Sequence, residues 1–102
     1  MIKATVFYPG EGRFDLGYYL NSHIPLLEKL MKPYGLVHVE VDRGIAGGGP
    51  GEAAPFAVMA HMVFDSIEDF EKASGAHDAD LAADVKHFTD LEPIFQVSEI
   101  IR

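Results

Sequence analysis

The sequence contains no cysteine. That excludes disulfides, thiolate metal sites, iron–sulfur clusters and cysteine nucleophiles together. Chemistry in this chain therefore falls to His, Tyr, Asp, Glu, Ser or Thr. Basic residues are scarce as well: 8 Lys and Arg stand against 16 Asp and Glu, for a formal net charge of −8, and they are scattered rather than clustered. This argues against nucleic acid or an anionic membrane surface as a partner. Long apolar runs are also missing. Met1 to Tyr8 lacks the charged start and extended apolar stretch of a signal peptide, and no later segment is apolar for long enough to cross a bilayer. Cytoplasmic residence is the expectation. No His/Asp spacing typical of metal ligands occurs, so no metal is expected.

What is present is ordinary globular material, 48% hydrophobic and 24% charged over 102 residues. That length holds one domain, residues 1–102, and leaves no room for a second catalytic module. A chain this short buries a limited fraction of its surface alone, and pairing with a copy of itself is a common remedy.

The periodicities give the order of elements. Ile2 to Tyr8 is β-branched and aromatic and stops at Pro9-Gly10, which predicts a strand. Asp15 can cap a helix carrying Leu16, Leu20, Ile24, Leu27 and Met31 at helical spacing as far as Lys32-Pro33. Pro25 interrupts it, because its ring clashes with the Asn21 carbonyl and its missing N–H cannot bond back. A kink is expected there, with Ser22 available to cap the second half. Val37, Val39 and Val41 alternate with His38, Glu40 and Asp42 in a second strand opened by Gly35. Gly44 to Pro55 is too rich in Gly and Pro for regular structure and is read as a mobile connection. Its Gly47-Gly48-Gly49-Pro50-Gly51 run lacks the Lys-Ser/Thr and the following helix of a phosphate loop.

Phe56 to Phe64 predicts a third strand that is apolar on both sides, which calls for cover on both faces of a sheet. Helices on one face and a partner subunit on the other would supply it. Asp65-Ser66 starts a second helix with Ile67, Phe70 and Ala73 facing inward, expected to break at Gly75 and resume from Ala79 to about Val85. A last strand is expected from Pro93 to Ile101. Strand, helix, strand, strand, helix, strand is the ferredoxin-like α+β order βαββαβ, with a four-stranded antiparallel sheet.

Three residues stand out as candidates for chemistry. Tyr19 and His23 are four apart on the first helix, so a phenol and an imidazole share one stripe, a pair suited to enol or phenol chemistry. Equally, Tyr19 can simply pack while His23 ties down the carbonyl freed by Pro25. His61 lies mid-strand with Met59 and Val63 on the same side, where a buried imidazole needs a partner. Thr5, Gln96 and Ser98 can provide polar company and, with Met59, line a substrate site, or His61 can be a satisfied structural histidine. His38, His77 and His87 read as surface residues, and Asp78, Asp80, Asp84 and Asp90 as a solvated acidic face.

Phe14-Asp15, Tyr18-Tyr19-Leu20-Asn21-Ser22-His23-Ile24-Pro25-Leu26, Gly44-Ile45-Ala46-Gly47-Gly48, His61 with Phe64-Asp65-Ser66, and Thr89-Asp90-Leu91-Glu92-Pro93 together resemble the EthD family, named for ethyl tert-butyl ether degradation. The Tyr-Tyr-x-x-x-His-x-Pro segment is the most specific part. The resemblance implies a homodimer in which two sheets pack as a dimeric α+β barrel around a small organic ligand. It also implies the label "EthD family reductase". The residues themselves hold nothing that stores or delivers electrons without a bound nicotinamide, flavin or haem, or an oxygen-reactive substrate, so the cofactor is unknown at this level.

Three readings follow. One is an oxidoreductase-like enzyme acting on a small oxygenated or aromatic metabolite, with His23 as acid/base and Tyr19 and His61 orienting. A second is a cofactor-free isomerase, cyclase or dehydratase. The third is an accessory small-molecule-binding protein serving a partner oxygenase in a degradation pathway.

Overall fold

The period-two segments pair into one antiparallel sheet, and the helical segments cover one of its faces. In a computed structural model describing residues 1–102, β1 (Ile2–Pro9), β2 (Leu36–Arg43), β3 (Phe56–Phe64) and β4 (Ile94–Glu99) lie in the order β2-β3-β1-β4. Every neighbouring pair is antiparallel. α1 (Leu16–Tyr18) and α2 (Ile24–Met31) connect β1 to β2, and α3 (Ile67–Asp84) connects β3 to β4. This is the ferredoxin-like βαββαβ arrangement expected from the order of elements.

Strand alternation decides which side chains meet the helices. Ala4, Val6 and Tyr8 of β1 and Val58, Ala60, Met62 and Phe64 of β3 are buried on that side, against Leu27 and Met31 of α2 and Ala73 and Leu81 of α3. Phe64 is fully buried and meets Phe70 edge-on, with ring centroids 5.5 Å apart. The other side of β3, with Ala57, Met59, His61 and Val63, is half-buried.

Four expectations need correction. α3 does not break at Gly75 but runs unbroken for 18 residues, capped by Ser66, whose hydroxyl accepts from the Asp69 N–H at 3.2 Å. A glycine inside a helix costs about 1 kcal/mol against alanine, and the burial of Ala73 and Leu81 on either side outweighs that. Val37 does not continue the valine face. The register of β2 shifts between Leu36 and His38, so Val37 is the unpaired residue of a bulge and is half-exposed. Pro25 produces a π-helical turn rather than a simple kink, and Ser22 is exposed and makes no cap there.

The glycine-rich connection closes as a hydrogen-bonded hairpin. Gly44 N–H donates to Ala57 O at 2.9 Å and Gly47 N–H to Glu52 O at 2.8 Å. A Cβ on Gly44 would overlap the Phe56 carbonyl oxygen, so glycine is required by close approach of the two chains.

A Cβ added at Gly75 meets nothing within 4 Å, and its φ is not positive. Gly75→Ala is therefore expected to stabilise the fold by ~0.5–1 kcal/mol in urea unfolding. A destabilised variant would mean that α3 is not continuous in solution.

Candidate functional site

Pro25 has no N–H to return to the Asn21 carbonyl, and the chain answers by widening one turn. Residues Tyr19–His23 form a π-helix, in which the Ile24 N–H reaches back to the Tyr19 carbonyl. The wider turn holds residues four apart nearly in line. His23 thus stacks on Tyr19, ring centroids 5.3 Å apart and planes 16° from parallel, while Phe88 closes on the imidazole at 4.6 Å. Both Tyr19 and His23 are buried. Tyr19 sits behind His23 in a cluster with Tyr8, Phe14 and Phe88.

The partner of His23 comes from the far end of α3. Asp84 Oδ2 lies 2.8 Å from His23 Nδ1, and Asp84 Oδ1 accepts from the Tyr18 hydroxyl at 2.7 Å. Asp84 was expected on a solvated acidic face, yet its side chain is only 14% exposed. A carboxylate in the last turn of a helix faces the unfavourable end of the helix dipole, and these two bonds compensate it. Partial burial pushes the Asp84 carboxyl upward, but the hydrogen bonds from His23 and Tyr18 and the charges of His23 and His87 outweigh it, leaving it below the usual carboxylate range. An ionised carboxylate can only accept, so Nδ1 of His23 carries the hydrogen and, in the neutral ring, Nε2 carries the lone pair.

A cavity of about 180 Å³ opens beside this pair, between β1 and β4 on one side and α2 and α3 on the other. Tyr8, His23, Leu27, Leu81, Phe95 and Val97 are among its walls. The helices leave β4 bare: Phe95 and Val97 share the helix-side register of Val6 and Ala4 but are 65% and 42% exposed. These side chains form the mouth. Burial pushes the Tyr8 phenol up to about 12, with the neighbouring Tyr19 hydroxyl lowering it in part. Tyr8 is therefore a neutral hydrogen-bond donor near neutral pH.

His61 lies elsewhere. It pairs with Thr5, and Thr5 with Gln96, on the face of the sheet turned away from the helices. The Thr5 hydroxyl is 3.2 Å from His61 Nδ1, and His61 Nε2 is 2.8 Å from Asp42 Oδ2. Met59 and Ser98 share this outer face, where Gln96 Nε2 donates to Ser98 Oγ at 3.1 Å. Thr5 and Gln96 also border the cavity, but alternation aims their side chains to the other face, so they reach it with backbone.

The match to known proteins now bears on this geometry. The EthD domain profile fits residues 14–92, a span that contains the π-helical turn, His61 and Asp84. This chain belongs to the EthD family. An EthD-like protein from Ralstonia eutropha JMP134 is 32% identical, with 99% of this chain and 92% of that chain covered and a TM-score of 0.92. An ethyl tert-butyl ether degradation (EthD) family protein from Bacillus halodurans C-125 is 24% identical, with 99% of each chain covered and a TM-score of 0.70. A dimeric protein of unknown function and ferredoxin-like fold from Bacteroides fragilis NCTC 9343 shares the fold at 12% identity and a TM-score of 0.50, with 97% of this chain and 95% of that chain covered. No curated protein matches at a significant level.

In this EthD domain the candidates read from sequence divide between two faces. His23 lines the cavity with Tyr19 stacked behind it, whereas His61, Met59 and Ser98 lie across the sheet. Tyr8, which lines the cavity, and Asp84, the carboxylate behind His23, were not singled out by sequence. Tyr8 had a signal, since it shares the parity of Ala4 and Val6 on the core side of β1. Asp84 had one only if α3 is taken as continuous.

A lowered carboxyl contributes stability that is fully present above its unfolded value and is lost as pH falls through its folded value. The wild type is thus expected to exceed Asp84→Asn in stability near neutral pH, with the gap closing on acidification below the ordinary carboxylate range. Urea unfolding across that range measures it. A gap that does not change with pH would show that the charge of Asp84 is not its source.

Proposed function

We propose that this EthD-family chain binds a small organic molecule in the cavity beside His23 and transforms it by proton transfer. The observation that carries the reading is the Asp84–His23 pair at the wall of a mostly apolar cavity. Asp84 fixes the imidazole and its tautomer, so Nε2 can take a proton from an acidic C–H or O–H of the ligand. Asp84 stays ionised and stabilises the imidazolium while it lasts, and the same proton returns to a different ligand atom or to a leaving oxygen. The neutral Tyr8 phenol supports this step as a donor to the ligand oxygen that gains charge. Isomerisation, cyclisation and dehydration need no more than this.

An oxidoreductase keeps the same proton step and adds a co-reactant, such as oxygen or a nicotinamide. An accessory protein for a partner oxygenase keeps the cavity without the step. Cyclohexanone in heavy water separates the two enzyme readings from the accessory one, because exchange of its α-hydrogens reports a base at work. Exchange is expected in the wild type and is expected to fall by about 10²–10⁴-fold in His23→Ala. Equal exchange in the two proteins would overturn the assignment of His23 as base.

The outer face supports pairing of two copies. Phe7, Met59, Val63 and Ile94 share it with the Thr5–His61 bond, and no helix of the chain covers it. A second copy laid sheet to sheet would bury these apolar groups. Sedimentation is expected to show a dimer at micromolar concentration and Met59→Glu a shift toward monomer. A monomeric wild type would remove this part of the proposal.

A further inference from the structure

We infer that the cavity selects uncharged molecules about the size of one substituted ring and rejects carboxylates and phosphates of the same size. The inference rests on the cavity being the ligand site proposed above, and it concerns which ligands enter.

Size sets the first limit. A dry cavity of roughly 150 Å³ is known to accommodate benzene, so about 180 Å³ suits a single ring with one or two small substituents. Charge sets the second. No Lys or Arg lines the cavity, and its charged wall residue is Asp78 at the exposed rim, with Asp84 held ionised behind His23. Lys86 and His87, just beyond α3, are exposed and do not line it. A ligand anion would lose its water and meet two carboxylates without a cation to pair with, within a chain of net charge −8. His23 brings no net positive charge to the wall, because an imidazolium formed there is offset by the Asp84 carboxylate 2.8 Å away. A hydroxyl or carbonyl, by contrast, finds the Nε2 lone pair and the Tyr8 donor on the same wall.

Benzene, phenol and benzoate test the inference, because they share one ring and differ in polarity and charge. Binding is read near neutral pH from the methyl resonances of Leu81 and Val97 in the intact protein. Phenol is expected to shift these resonances and to bind at least tenfold more tightly than benzoate. Asp78→Lys, a change at the exposed rim, is expected to narrow that ratio. Val97→Trp, which fills the mouth, is expected to abolish the phenol shift of the Leu81 methyls and so locate the binding. Benzoate binding as tightly as phenol, an unchanged ratio in Asp78→Lys, or phenol failing to perturb the cavity would each overturn the inference. Loss of cyclohexanone exchange in His23→Ala alongside good benzoate binding would leave the base in place and remove the charge filter. The reverse pattern would keep the filter and remove the base.

Discussion

The bond between Asp84 and His23 holds the helical layer together at the point where the cavity begins. It joins the last residue of α3 to a turn that lies 61 positions earlier in the chain. Neither side is comfortable alone. Asp84 stands against the helix dipole, and His23 is a buried imidazole that needs a partner. Each group removes the penalty of the other, and Tyr18 takes the second carboxylate oxygen. With the two helices tied here, β4 remains an uncovered edge, and the space between that edge and the helices is the cavity.

The form of the turn follows from a single missing hydrogen. Pro25 cannot donate, so the ladder slips by one residue and the chain accommodates the slip as a π turn. A regular α turn would offset residues four apart by about 40° around the helix. The wider turn instead stacks Tyr19 on His23 and packs both against the tilted ring of Phe88, so one flat side of the imidazole is fixed by Tyr19 while Asp84 fixes its edge. The stiffness of the His23 ring is thus set by backbone geometry as much as by its hydrogen bond.

Much of the fold was legible from alternation and punctuation, and the candidate site was legible only in part. Alternation offered Thr5, Gln96 and Ser98 as company for His61 only on condition of a matching register, and the pairing sets Thr5 opposite both His61 and Gln96. Parity cannot say on which side of a sheet a helix lies, so His23 and His61 were read into one cleft when a sheet separates them. Asp84 was missed for a related reason. If α3 ends at Gly75, nothing fixes where Asp84 points, and an acidic residue among Asp78 and Asp80 reads as surface. Once Gly75 is carried through the helix by the packing of Ala73 and Leu81, the helix delivers Asp84 to the π turn. The error about a glycine and the error about a carboxylate are one error.

The same acidic surroundings constrain the chemistry that a base at this position can support. Deprotonating a neutral ligand creates an anion in a cavity that has no fixed cation, and the imidazolium formed in the same step is its nearest countercharge. Asp84 stabilises that imidazolium, which favours proton uptake, yet it also competes with the ligand anion for it. An anion that persists is therefore disfavoured, and one that collapses at once by returning the proton elsewhere, or by expelling a leaving group, is favoured. The proposed chemistry that this balance suits best is a short-lived enolate or phenolate passing to product within one proton cycle, with Tyr8 holding the oxygen while the charge is there.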